Sequence, residues 1–275
     1  MNPWNIVYDR RGAGTPVVLL HGLGHSRRAW DPVVDALAAR HDVVSVDLPG
    51  FGQSPWPAAD APYDIPALVR AVSGLCDYLG LRRPHLVGNS LGGAIALELG
   101  ALGAAGSVTA FSPIGFSPAG ETYGRRLLAF GAGLASRVPE PVRLAAADSP
   151  PARAVARRVL RGADADPASV RDLRFDATML APGSPFLRLA AHVAGYVYAA
   201  PGLACPVTIG WGDLDRVLPV RAARRAGARI PHARHVRLLG CGHVPMYDNP
   251  VTVGDTILDT CRAAEVPAGG LAVGL

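Results

Sequence analysis

One serine of the chain sits in a setting suited to nucleophilic chemistry. Gly88-Asn89-Ser90-Leu91-Gly92 is a G-x-S-x-G pentapeptide between an apolar run, His85–Val87, and a helical pattern, Leu91–Leu102. A sharp strand-to-helix turn there forces the serine into strained backbone geometry and exposes its Oγ. Glycines on both sides, and again at Gly93, remove Cβ atoms that would clash in so tight a turn. The following helix adds partial positive charge and unpaired N–H groups at its N-terminus. The competing interpretation is a glycine-rich turn whose serine merely caps the helix.

A serine hydroxyl needs a base to take its proton at neutral pH. Among eight histidines, His243 stands out, in GCGHVPMYDNP after the last predicted strand, where Gly240 and Gly242 suit a loop that reaches the serine turn. His41, His85, His192, His232 and His235 fall in strands, helices or surface loops and read as structural; His21 belongs to another motif, which His25 follows. The imidazole in turn needs an anionic partner to hold its tautomer and orientation. The run VTIGWG ends in Asp213-Leu214-Asp215, and spacing alone does not separate the two aspartates. The order serine, acid, histidine differs from the trypsin-like and subtilisin-like orders. His21-Gly22-Leu23-Gly24 directly follows the run VVLL. Backbone N–H groups of such a loop, with that of Leu91, can meet a developing oxyanion.

These residues must be positioned by the elements between them. Short apolar, β-branched runs recur at Asn5–Tyr8, Val17–Leu20, Val43–Val46, His85–Val87, Val108–Phe111, Val207–Gly210 and His235–Leu238. Helical patterns alternate with them at Trp30–Ala39, Ile65–Leu79, Leu91–Leu102, Val220–Ala228 and Val251–Ala263. That alternation predicts βαβ units, hence an α/β fold with a mostly parallel central sheet flanked by helices. From 115 to 200 no strand pattern occurs; helical patterns at Tyr123–Arg137, Val142–Ala147, Ala152–Leu160, Ala168–Leu180 and Pro185–Tyr198 dominate. The expectation is a core of 1–114 and 201–275 carrying an all-helical cap, 115–200, over the carboxyl ends of the strands, where open α/β sheets place ligands. Trp211, Val244 and Met246 lie near strand ends and are expected, with cap residues, to bind substrate. Arg153, Arg157 and Arg161 form one helical stripe in the cap, read as a solvated face.

Composition narrows the classes. Of 275 residues, 49% are hydrophobic and 18% charged, which excludes a disordered chain. No apolar stretch is long enough for a membrane span, and the start, MNPWNIVYDRRG, has no apolar signal region. The expected location is cytoplasmic. The net charge of +5 comes from 27 basic residues, all arginine and scattered, with only 6% aromatic residues. A nucleic-acid binder would cluster its charge with aromatics on one face, so no nucleic-acid partner is expected; the expected partner is a small-molecule substrate. Cys76, Cys205, Cys241 and Cys261 have no metal-ligand spacing and read as reduced, buried hydrophobes. The last stretch, EVPAGGLAVGL, reads as frayed.

Taken together, HGLGHSRRAW, DLPGFGQS, GNSLGG, GDLDRVLP and GHVPMYDNP occur in an order, across nearly the whole chain, that resembles the capped serine hydrolases of the α/β-hydrolase fold. The resemblance implies a Ser90–His243–Asp215 triad, since the acid is normally the last residue of a G-x-x-D pattern, which Gly212 to Asp215 fits. It implies oxyanion donors at the backbones of Leu23 and Leu91, and no metal or organic cofactor. Relatives with an aspartate nucleophile, the dehalogenases and epoxide hydrolases, differ at Ser90. Carbon–carbon hydrolases of ring-cleavage products share Asn89 but usually carry Trp where Val244 stands. The expected activity is therefore hydrolysis of a small or medium apolar ester, or a related thioester or lactone. Alternatives are a carbon–carbon hydrolase, a hydroxynitrile-lyase-like enzyme, or a ligand-binding receptor of the same fold with weak turnover.

Overall fold

A computed structural model describes residues 3–117, 133–134, 136–151, 154, 158, 160, 183–200 and 202–265. Seven strands form one sheet: β1 (Tyr8–Arg11), β2 (Pro16–Leu20), β3 (Asp42–Val46), β4 (His85–Asn89), β5 (Ser107–Phe111), β6 (Val207–Gly212) and β7 (Arg234–Leu238). Their order is β1-β3-β2-β4-β5-β6-β7. β1 pairs antiparallel with β3; every other pairing is parallel. Helices among the described residues include α1 (Asp31–Ala38), α2 (Ile65–Tyr78), α3 (Leu91–Ala101), α4 (Glu140–Asp148), α5 (Pro185–Gly195), α6 (Arg221–Arg229) and α7 (Pro250–Glu265), with a short helical turn at Pro245–Asp248. The mostly parallel α/β sheet flanked by helices is the architecture expected from the sequence.

The inner strands carry apolar residues without polar alternation because both faces are covered. On one face Val18, Leu20, Val44, Val46, Leu86 and Val108 pack with α2 and α3. On the other, Val17, Leu19, Val43, Val87 and Phe111 pack with α1 and α7. α3 has nine buried residues of eleven, which explains a helix apolar all round. Truncating a fully buried core leucine such as Leu20 or Leu86 to Ala would cost about 2–5 kcal/mol. Polar signals set several starts: Asp64 caps α2 by accepting from the Ala67 N–H at 2.8 Å, and Asn249 accepts from the Thr252 N–H at 3.0 Å at the start of α7.

The first strand departs from expectation. Asn5–Tyr8 is apolar enough to suggest a strand, but Pro3–Asn5 is a 3-10 turn and β1 begins at Tyr8. β1 is an edge strand with three exposed charged residues, so buried-strand composition could not mark it. Arg10 fastens it by donating to both carboxylate oxygens of Asp42, at 2.8 and 2.6 Å. In the expected cap, Val142–Ala147 lies within α4 and Pro185–Tyr198 overlaps α5. Most of Tyr123–Arg137, all of Ala168–Leu180, the arginine stripe and the glycine-rich end lie outside the described residues. Among the described residues, no helix is long and apolar enough to cross a membrane. All four cysteines are buried and free.

Candidate active site

Six parallel strands, β2 to β7, deliver their following loops to the same edge of the sheet. At the end of β4 the chain turns sharply into α3. Ser90 holds φ 54 and ψ −110, a conformation that costs a non-glycine residue roughly 1–3 kcal/mol. The backbone at Gly88 and Gly92 tolerates no side chain. A Cβ on Gly88 would stand 2.1 Å from the Gly92 carbonyl oxygen, and one on Gly92 would stand 2.1 Å from that of Leu20. The backbone of Ser90 is fully bonded: its N–H donates to Phe111 O at 2.8 Å, and its carbonyl accepts from Ala94 and Ile114, each at 3.2 Å. Its hydroxyl makes no capping bond to α3, so the interpretation of Ser90 as a helix cap fails. The residue is 8% exposed, enclosed rather than presented to bulk water.

The expected acid and the expected base meet. His243 Nδ1 donates to Asp215 Oδ2 at 2.8 Å, with both side chains buried. The second oxygen, Asp215 Oδ1, accepts from the N–H groups of Val217 (2.9 Å) and Leu218 (2.8 Å). The carboxylate is thereby fixed in the rotamer that faces the imidazole. Asp213 has different work: it accepts from Gly240 N–H at 2.8 Å and pairs with Arg237 at 3.2 Å, bracing the loop that carries His243. Geometry thus separates two aspartates that spacing could not.

Asn89, next to Ser90, joins the two halves. Its Nδ2 donates to Phe111 O at 3.2 Å and to His243 O at 3.0 Å. The sequence marked Asn89 only as a family likeness; nothing local could reveal a bond to a residue so far along the chain. Asp248, in the same motif as His243, accepts from Gly242 N–H at 2.7 Å. The N–H groups of His243 and Val244 both donate to Leu160 O, at 3.0 and 3.2 Å. Segment 115–200 therefore touches the histidine loop directly.

Trp211, Val244 and Met246, expected to contact substrate, are buried side chains. The Trp211 indole N–H donates to Leu218 O at 2.9 Å, pinning the loop that orients Asp215. Val244 and Met246 pack with Phe111, Trp30 and Val253.

The loop after β2 lies against the serine turn: a Cβ on Gly22 would stand 3.3 Å from Ser90 Cβ. Leu23 and Leu91 flank that junction. His21 anchors the loop, its Nδ1 donating to Gly22 O at 2.7 Å and its Nε2 accepting from Leu48 N–H at 3.0 Å. Burial pushes the His21 pKa down to about 4, outweighing its bond to Gly22 and the charge of Asp47, so the ring is neutral at physiological pH. Asp47, fully buried, accepts from the Arg27 and Gln53 N–H groups at 2.7 and 2.8 Å and pairs with the Arg27 guanidinium. Motif DLPGFGQS is thus a clamp on the loop rather than a reacting group. The thiol nearest the site, Cys241, is pushed up to about 12 by burial and by the charges of Asp248 and Asp213; a thiol in that state is a poor competing nucleophile.

The sheet, the serine turn at the end of β4 and the histidine loop after β7 together define an α/β hydrolase. The model of the alpha/beta hydrolase family matches residues 17–256, and the chain belongs to that family. An uncharacterised protein of Mycobacterium tuberculosis (strain H37Rv) is 29% identical over 94% of this chain and 80% of its own length. A pimeloyl-[acyl-carrier protein] methyl ester esterase of Aeromonas hydrophila is 41% identical over 95 residues, 34% of this chain and 35% of its own. An alpha/beta hydrolase fold protein of known structure from Burkholderia ambifaria superposes with a TM-score of 0.75 at 26% identity, covering 92% of this chain and 93% of its own.

Proposed function

We propose that the chain is a serine hydrolase that cleaves a small or medium apolar carboxylic ester. The observation carrying this reading is the buried His243–Asp215 hydrogen bond, tied by Asn89 to the strained turn that holds Ser90. The Ser90 oxygen attacks the ester carbonyl while His243 Nε2 takes its proton. Asp215 keeps the Nδ1 proton in place and stabilises the imidazolium as it forms. The N–H groups of Leu23 and Leu91 donate to the developing oxyanion. The tetrahedral intermediate collapses, His243 returns the proton to the leaving alcohol, and an acyl-serine remains. Water, deprotonated by His243, attacks the acyl carbon, and a second collapse releases the acid and restores Ser90. No metal or organic cofactor enters these steps. Segment 115–200 acts as the cap that shapes the acyl and alcohol pockets and excludes bulk water. The esterase name of the Aeromonas relative supports the ester assignment.

The test is a screen of p-nitrophenyl esters of graded acyl length, run beside labelling with a fluorophosphonate. Turnover of short to medium esters, with one label per chain lost in Ser90→Ala, is the expected result. A fully labelled protein that turns over none of the esters would instead indicate carbon–carbon or carbon–nitrile substrates, or a binding role.

A further inference from the structure

A second cluster of chemistry-bearing side chains lies at the opposite, amino-terminal edge of the sheet. His41 immediately precedes β3, His85 opens β4, and Glu265 ends α7. These residues are far apart in the chain, which is why no local spacing grouped them. One donor atom of each lies within 4.8 Å of the other two. His85 Nε2 and Glu265 Oε1 are 3.4 Å apart. Two ligands on a tetrahedral zinc ion stand roughly 3.3–3.5 Å apart, given bonds of about 2.0–2.2 Å. One side of the triangle is therefore already at ligand spacing, and the His41 sides need to close by no more than about 1.5 Å to match it.

Both imidazoles are oriented from behind. His41 Nδ1 lies 3.2 Å from Thr15 O; a carbonyl only accepts, so Nδ1 carries the proton and Nε2 keeps its lone pair. His85 Nδ1 lies 2.9 Å from Ser107 Oγ, leaving Nε2 toward Glu265. Metal-binding histidines are held in this way through the ring nitrogen that does not ligate. The two rings are buried and meet edge to face, 5.7 Å apart. The Glu265 side chain is 39% exposed, which leaves a path for an ion and room for water.

We propose that His41, His85 and Glu265 bind one divalent transition-metal ion of the zinc class, completed by water. Two imidazoles and one carboxylate suit zinc rather than the all-oxygen preference of magnesium or calcium. The ion clamps the end of α7 to the amino ends of β3 and β4. β4 separates His85 from Ser90, a run of five residues spanning roughly 16 Å, so the ion is structural and takes no part in cleavage at Ser90.

The experiment is a calorimetric titration of the untagged chain, stripped by a chelator, with zinc chloride near neutral pH, followed by thermal melting. Expected are one zinc per chain with micromolar or tighter affinity, a raised melting temperature, and no response to magnesium. His41→Gln should abolish binding and Glu265→Gln weaken it at least tenfold. Should the buried histidine variant fail to fold, Glu265→Gln decides, because that side chain is partly exposed. Absence of saturable zinc binding, or affinity unchanged by Glu265→Gln, overturns the site; the cluster is then a plain hydrogen-bonded network, with His85 donating to Glu265. Hydrolysis of a p-nitrophenyl ester should be the same with and without zinc, and a loss of turnover on stripping would overturn the structural role.

Discussion

Ser90 holds a strained backbone conformation at the end of β4. The Ser90→Ala variant keeps every backbone bond of the turn, so its melting temperature should match the parent within a degree or two. Its ester turnover should fall by about 10⁶, the loss seen when a triad nucleophile is removed. Activity within tenfold of the parent would take Ser90 out of its assigned role. The two aspartates give a sharper contrast. Asp215→Asn presents an amide to Nδ1 and favours the wrong tautomer, with an expected loss of about 10⁴ in kcat and little loss of stability. Asp213→Asn weakens an exposed pair with Arg237, worth about 0–1 kcal/mol, and should leave kcat within a few fold. A reversed ranking in steady-state kinetics would transfer the acid role to Asp213. His21 contributes to the pH dependence of stability. Its folded pKa is about 4, below the ordinary value of about 6.5, so the unfolded chain binds the extra proton between those values. Stability is therefore complete above the ordinary value and falls as pH drops through this window, by about 1.4 kcal/mol per unit at most. Urea midpoints measured across the window should fall less steeply in His21→Asn than in the parent; parallel curves would refute the assignment.

At the scale of elements, the site depends on one side chain that spans two loops. Asn89 bonds Phe111 O at the end of β5 and His243 O in the loop after β7. Asn89→Ala would take the donor from His243 O, at about 1–3 kcal/mol, leave Phe111 O with the Ser90 N–H, and release His243 from the serine turn. Both a lower melting temperature and a lower kcat with KM nearly unchanged are expected. A variant that melts earlier but keeps its full kcat would make Asn89 a purely structural tie. The inner strands and the helices that cover the sheet were legible in the sequence, because burial on both faces leaves unbroken apolar runs and helices show their own period. The serine turn was legible because its glycines answer to a steric demand that is purely local. The choice of Asp215 over Asp213 from the residues alone, the Asn89 bridge and the histidine cluster at the other edge were not, because each depends on which loops the sheet order brings together. β1 was misplaced for a related reason: an edge strand held by Arg10 and Asp42 has no apolar signature.

Across the whole molecule, parallel strands send their following loops to one edge, and that geometry alone gathers residues 22, 90, 215 and 243 from distant parts of the chain. α5 lies over this edge. The Phe186 ring packs against Gly24, where a Cβ would stand 3.1 Å away, and Pro185 packs against Gly50. Arg188 donates to Pro57 O and Ala58 O, each at 3.2 Å, and to Ala61 O at 3.1 Å, while its guanidinium sits 5.2 Å from the Tyr63 ring centroid. These contacts join segment 115–200 to the loop beside Ser90 and to the chain between β3 and α2, without touching Asp215 or His243. Arg188→Ala removes three bonds from a charged donor and should cost roughly 1–3 kcal/mol after solvent takes over the freed carbonyls. If α5 is part of the cap that confines substrate, its loosening should raise KM more than it lowers kcat, and more for longer acyl chains, which reach further from Ser90. Arg188→Lys, which keeps the charge but loses the planar fork, should recover only part of both effects. Kinetics over the graded esters separate the outcomes: a uniform fall in kcat at constant KM would mean that α5 positions the reacting groups, and no change in either would show that α5 neither confines substrate nor positions the reacting groups.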